Sequence, residues 1–330
     1  MESFSGKLAV VTGGGSGMGR ELVRLLAAAG CSVAAGDWRP AAVEQAAAGA
    51  RAGAVGGAAV SAHACDVSDE AQVERFRDEL LAAHARGHVD LVFCNAAIGG
   101  GASFARDSRE EWERTFAAGW QGVYYCARVF VPLLIKSGDG VLVNASSVGG
   151  FWATGGPGMP NTAYAAAKFA VRGFTEALIE DLRTSAPQVR AVVVLPGHVG
   201  TDILANSLRA HGLPEPGQMN DAQVERLIPP GARAGLIRAG LLPASPTAGD
   251  LRQALARLTA DFRDKAPLSA AGAAAVILDG VRSGAWRILV GQDARRIDAA
   301  VRARPEAAYD YAGLFSAARH PPARDPGADS

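Results

Sequence analysis

LAVVTGGGSGMGR, running from Leu8 to Arg20, decides the fold. Leu8 to Val11 is a short apolar run rich in β-branched residues, too continuous to alternate, and it reads as a strand buried on both faces. Gly13 to Gly19 then forms a turn in which the glycines admit positive φ and let the backbone approach a ligand closely. A helical pattern follows to Ala29. Its first turn, through Ser16, Gly17 and Met18, offers free N–H groups and the positive end of the helix dipole to a pyrophosphate. A glycine turn alone could be a flexible loop. Its place between a strand and a helix makes it a dinucleotide-binding turn.

Outward from this unit the same rhythm continues. Ser32–Ala35, closed by Gly36 and Asp37, reads as a second strand, and Val60–Cys65 as a third. Leu91–Phe93, Val141–Val143, Val189–Leu195 and Arg287–Val290 extend the series, with helices expected at 71–85, 109–136 and 163–184. Strand and helix in alternation predict an α/β fold, a Rossmann-like doubly wound parallel sheet of about seven strands in a three-layer sandwich. Residues 203–267 break the pattern with Pro214, Pro216, Pro229, Pro230, Pro243, Pro246 and Pro267 and only short amphipathic pieces. They are expected to form an inserted lid or substrate wall within a single domain spanning 1–315. The polar tail, 316–330, is expected to be disordered.

Bulk composition bounds the function. The chain has 330 residues, 49% of them apolar, with 33 basic and 33 acidic side chains. A neutral chain without a basic block gives no reason to expect nucleic acid or an anionic membrane as partner. Cys31, Cys65, Cys94 and Cys126 form no CxxC unit and sit in apolar stretches, which predicts reduced core thiols. Met1–Lys7 lacks the pattern of a signal peptide, and no run approaches the roughly 18 apolar residues of a membrane span, so a soluble, cytoplasmic protein is expected. No metal-ligand cluster stands out.

Two constellations carry chemistry. Asp37, closing the second strand, can accept hydrogen bonds from both adenosine ribose hydroxyls and would repel a 2′-phosphate, favouring NAD over NADP. Arg39 is the complication, because its guanidinium could pair with that phosphate. Tyr164 and Lys168 are four apart at a helix start and share a face. A phenol titrates near about 10, and a fixed ammonium beside it would lower that value, fitting the pair for proton transfer to or from a carbonyl oxygen. The fifth strand runs out through Asn144-Ala145-Ser146-Ser147. A hydroxyl there could polarise the substrate oxygen, from Ser147 or from Ser146, or could simply close an ST-turn.

Together these motifs resemble the short-chain dehydrogenase/reductase family over residues 4 to about 202, and again near Trp286–Gly291. The family's TGxxxGxG turn is Thr12–Gly19, its acidic selector Asp37, its NxSS serine Ser147, and its YxxxK pair Tyr164 and Lys168. The resemblance implies that Asp66 and Val67 contact the adenine, that Asn95 (in Cys94-Asn95-Ala96-Ala97) lies along the adenosine ribose, and that Lys168 binds the nicotinamide ribose. In Pro196–Thr201 it implies that Val199 and Thr201 hold the nicotinamide carboxamide. It further implies a homo-dimer or homo-tetramer acting on a small-molecule secondary alcohol or ketone, with Tyr164 as general acid/base. Related reductases of imines or other C=X bonds, and an NAD(H) sensor or scaffold without turnover, remain alternatives.

Two departures stand out. Gly119 occupies the place where many members carry an Asn that helps link the lysine to solvent, so a rewired relay is expected. Ser147 and Tyr164 are 17 apart, a few more than usual, with the extra residues in 154–160. Phe151 and Trp152 could wall the substrate pocket or pack beneath this loop, and His198 could touch substrate or be incidental. The long insertion suggests a fairly large, apolar substrate.

Overall fold

The computed structural model describes residues 1–156 and 158–311. The strands are β1 (Leu8–Thr12), β2 (Ser32–Asp37), β3 (Val60–Ala64), β4 (Leu91–Cys94), β5 (Gly140–Ala145), β6 (Val189–Pro196), β7 (Val199–Gly200), β8 (Leu268–Ser269) and β9 (Arg287–Val290). Seven of them form one parallel sheet in the order β3-β2-β1-β4-β5-β6-β9, while β7 and β8 make a separate short parallel pair. The chain therefore reverses direction between β1 and β4, where an open parallel sheet leaves a crevice at its carboxyl end.

Alternate residues of each strand feed two cores, which is why the strands read as continuous apolar runs. Ala9 and Val11 of β1 face one side with α1 (Gly17–Ala28), α2 (Pro40–Ala52) and α11 (Ala270–Arg282). Leu8 and Val10 face the other, with α3 (Glu70–His84), α5 (Gly122–Ser137) and α6 (Thr162–Ser185). The four cysteines are buried and unpaired. Burial pushes the thiols of Cys31 and Cys65 up to about 12, so they stay protonated core groups.

The stretch expected as one helix over 109–136 is two helices, α4 (Arg109–Phe116) and α5, joined by a π-turn at Ala117–Gln121. The widened turn falls where Gly119 faces Ala167 and Gly122 faces Val67, at separations that leave little room for a side chain. Residues 203–267 also hold more helix than expected: α7 (Ile203–Ala210), α8 (Asp221–Leu227), α9 (Pro230–Arg238) and the 17-residue α10 (Ala248–Asp264). α10 lies in a proline-free stretch and starts at a capping box between Thr247 and Asp250. Met219, Val224, Ile228, Leu242, Leu251 and Ala254 give this region a small core of its own. After β9 the chain adds α12 (Gln292–Ala303). Residues 316–330, expected to be disordered, lie outside the described residues. Among the described residues no helix is long and apolar enough to cross a membrane.

Candidate active site

The carboxyl ends of the strands converge on one elongated cleft. Every residue that the sequence proposed for cofactor or catalysis lines it, from Asp37 and Asp66 at one end to Ser147, Tyr164 and Lys168 at the other, with Gly19 the exception. Gly19 serves the turn itself: a Cβ there would collide with the Gly13 carbonyl and crowd the Asn95 amide. Gly13 and Gly17 have φ of +66° and +51°, which an L side chain rarely adopts.

The first helix is prepared for an anion. Ser16 caps α1 with extended backbone, yet its side chain accepts no hydrogen bond from the helix, and no acidic residue sits in the first turn. Its opening N–H groups thus face the cleft beside the glycines, which fits a pyrophosphate. Thr12 braces this turn. Its buried Oγ1 accepts from the backbone N–H of Asn95 at 3.0 Å and of Ala96 at 3.2 Å, and the Asn95 amide donates to the Thr12 carbonyl at 3.2 Å. Asn95 therefore ties β4 to β1 as well as facing the cleft.

Asp37 is held by its own neighbourhood. Its carboxylate accepts from the backbone N–H of Gly15 at 3.1 Å and of Arg39 at 3.0 Å, and it lies 3.5 Å from the Arg39 Nε. A Cβ at Gly15 would sit 2.9 Å from the carboxylate oxygen, so this glycine lets the turn close on Asp37. The Arg39 guanidinium itself points across to α7, where its Nη1 donates to Asn206 Oδ1 at 2.8 Å. Residues that fit a dinucleotide thus run the length of the cleft.

At the far end the two serines separate. Ser146 Oγ donates to the Lys168 carbonyl at 2.7 Å, fastening β5 to α6, and is spent as structure. Ser147 Oγ accepts from the Gly149 N–H at 3.0 Å, so the ST-turn is present, but the same hydroxyl also lies beside the Tyr164 ring and acts to hold the phenol's pKa down. Turn and reactive contact coexist in one side chain.

Lys168 is buried, and its Nζ donates to the Ala145 carbonyl at 2.8 Å, 5.6 Å from the centre of the Tyr164 ring. Burial pushes the ammonium down to about 8. Burial pushes the Tyr164 phenol above its ordinary value of 10.0, and the Ser147 hydroxyl is what opposes that rise. The expected lowering of the phenol by Lys168 is therefore corrected: the ammonium is turned onto Ala145, and desolvation dominates the phenol.

The structure also settles the loop residues and adds some that the sequence did not single out. Phe151 and Trp152 pack beneath the loop rather than walling the cleft, with the Trp152 indole donating to the Ala308 carbonyl at 2.7 Å. His198 packs at a tilt against Phe262 of α10 and shares a 2.8 Å hydrogen bond with the Phe262 carbonyl. Its backbone N–H donates to Asp293 Oδ2 of α12 at 2.6 Å, a carboxylate that occupies the space beside Gly197. On α7, Ser207 Oγ accepts from the Gly99 N–H at 2.7 Å, and His211 Nε2 meets the Gly99 carbonyl at 2.8 Å. These partners lie about a hundred residues away, and no short motif announces them.

The comparisons agree with this arrangement. Residues 7–211 match the family model described as short chain dehydrogenase. The meso-2,3-butanediol dehydrogenase of Serratia marcescens is 33% identical over 200 residues, 61% of this chain and 74% of that protein. A short-chain dehydrogenase/reductase from Burkholderia phymatum, solved in complex with NAD, superimposes with a TM-score of 0.70 at 29% identity, covering 93% of this chain and 95% of that one. A metagenomic short-chain oxidoreductase solved with NADP gives 0.52 at 30% identity, covering 58% and 83%. With its sheet, its glycine turn and its Ser147-Tyr164-Lys168 cluster in one cleft, the chain belongs to the short-chain dehydrogenase/reductase family.

Proposed function

We propose that the protein is an NAD-dependent oxidoreductase that interconverts a secondary alcohol and a ketone. The observation that carries this reading is the convergence of Ser147, Tyr164 and a buried Lys168 at one end of a cleft whose lining fits a dinucleotide. The nicotinamide, when bound, supplies or accepts the hydride. Tyr164 gives its phenolic proton to the substrate oxygen in reduction and takes it back in oxidation. Ser147 hydrogen-bonds the same oxygen as charge develops there. Lys168 holds the nicotinamide ribose and restores the phenol's proton. Asp66, Val67 and Asn95 bound the adenosine, and Val199 and Thr201 the carboxamide.

Asp37, at the adenosine end, supports NAD over NADP. Ile98, Ile203, Ala210 and Phe262 give the cleft an apolar side and support a fairly large, apolar substrate. Tyr124 and Phe169, exposed on α5 and α6, support a homo-oligomer, and the four unpaired cysteines support a reducing cytoplasm. A spectrophotometric screen at about 340 nm, with NAD and NADP against alcohols and ketones, tests the reaction. Tyr164→Phe should lower kcat by about 10²–10⁴-fold with NADH binding intact. Full activity in that variant would remove Tyr164 from the chemistry.

A further inference from the structure

Asn206, in the middle of α7, keeps only 9% of its surface exposed although it belongs to a polar residue type. All of its side chain is committed. The amide Nδ2 donates to Ser16 Oγ at 3.1 Å, and Oδ1 accepts from Arg39 Nη1 at 2.8 Å and from Arg209 Nη1 at 3.1 Å. Two guanidinium groups therefore converge on one neutral oxygen, that of Arg39 from beside Asp37. Among the described residues this is the only hydrogen bond that the Arg39 guanidinium makes. Its buried Nε has no hydrogen-bond acceptor and keeps only the 3.5 Å ion-pair contact with Asp37.

Of the two, Arg39 lines the cleft while Arg209 is also ion-paired with Glu215, and a guanidinium placed like that of Arg39 is what a 2′-phosphate would seek, since phosphate oxygens accept charge-assisted hydrogen bonds far better than an amide does. The guanidinium of Arg39 instead spans from Asp37 to Asn206. We propose that Asn206 is a cofactor-selectivity residue: by holding the Arg39 guanidinium against α7 it denies that group to a 2′-phosphate, so discrimination is shared between Asp37 and α7. This deepens the assignment of NAD and rests on it.

The discrimination is read from equilibrium binding, without any substrate. Dissociation constants for NADH and NADPH are measured by fluorescence titration on wild type, Asn206→Ala and Asn206→Asp, each also in an Arg39→Ala background. Removing the amide frees the Arg39 Nη1 donor, which a 2′-phosphate satisfies, so Asn206→Ala should lower the NADPH-to-NADH ratio of dissociation constants about ten-fold, the worth of one charge-assisted hydrogen bond. Asn206→Asp tightens the hold on Arg39 and adds a repelling charge, so the ratio should rise. In the Arg39→Ala background the Asn206→Ala effect should vanish. A ratio unmoved by Asn206→Ala and Asn206→Asp, or moved equally without Arg39, overturns the proposal. If Asn206→Ala does not fold, Asn206→Asp alone decides by its sign. A wild type that binds NADPH more tightly refutes the NAD assignment separately, and the shift between variants still judges Asn206.

Discussion

Replacing Lys168 by Met should make the protein more stable near neutral pH. The folded chain keeps the Lys168 ammonium buried with one acceptor, the Ala145 carbonyl, and its pKa falls from 10.5 to about 8. At about 1.36 kcal/mol per pKa unit, that drop means roughly 3 kcal/mol of destabilisation carried by the charged side chain at pH 7. Methionine keeps most of the stem and removes the charge. It leaves the Ala145 carbonyl without its partner, which costs about 1–2 kcal/mol. The net gain should be about 1–2 kcal/mol, which thermal unfolding would show as a rise of a few degrees.

The pH dependence gives the signature. Between the folded and unfolded pKa values the unfolded chain holds a proton that the folded chain has lost, so the wild type gains stability as pH rises. The penalty of Lys168 is full below its folded pKa of about 8 and gone above 10.5. Urea unfolding of both proteins at about pH 7 and about pH 10 should therefore show Lys168→Met ahead at the lower pH and level or behind at the higher. A variant less stable than wild type at neutral pH, or a difference that does not change with pH, would refute the reasoning. The stabilised variant should still lose activity, because a destabilised group kept in a cleft is what function requires.

At the neighbouring helix, a Cβ on Gly119 would lie 2.9 Å from the Ala167 Cβ, so Gly119→Ala should lose about 1–2 kcal/mol despite alanine's better helix propensity, and Gly119→Ala with Ala167→Gly should recover most of it in urea unfolding. On α12, Asp293→Ala removes the acceptor of the His198 N–H from the loop that holds Val199 and Thr201. NADH should bind about ten-fold more weakly by calorimetry while ADP-ribose, which lacks the nicotinamide, binds as before, and equal losses for both would mean a general structural defect.

Much of the fold and site was legible because the informative contacts are local. A glycine turn between a strand and a helix, a carboxylate closing the next strand, and Tyr164 four residues before Lys168 carry their geometry in their spacing. Parallel strands buried on both faces declare themselves as continuous apolar runs, so the seven-stranded sheet followed from β1 onward. Where a helix departed from its regular period, as at Ala117–Gln121, its glycines lie close against Ala167 and Val67 from distant parts of the chain, an approach that periodicity cannot register. The long α10 was obscured by the prolines that flank it.

By itself the sequence determined which side chains stand at the carboxyl ends of the strands, because a strand's end and a helix's first turn are set by the residues within them. Only the tertiary structure decided what those side chains face. It assigned Ser146 to the Lys168 carbonyl and Ser147 to Tyr164, and turned the Lys168 ammonium onto Ala145 so that burial governs both groups. It also brought Asn206 to Arg39, across 167 residues of chain, and Asp293 to the loop that carries Val199 and Thr201. Hydrogen-bond partners and desolvation depend on what arrives from elsewhere in the chain, and no local pattern encodes that arrival.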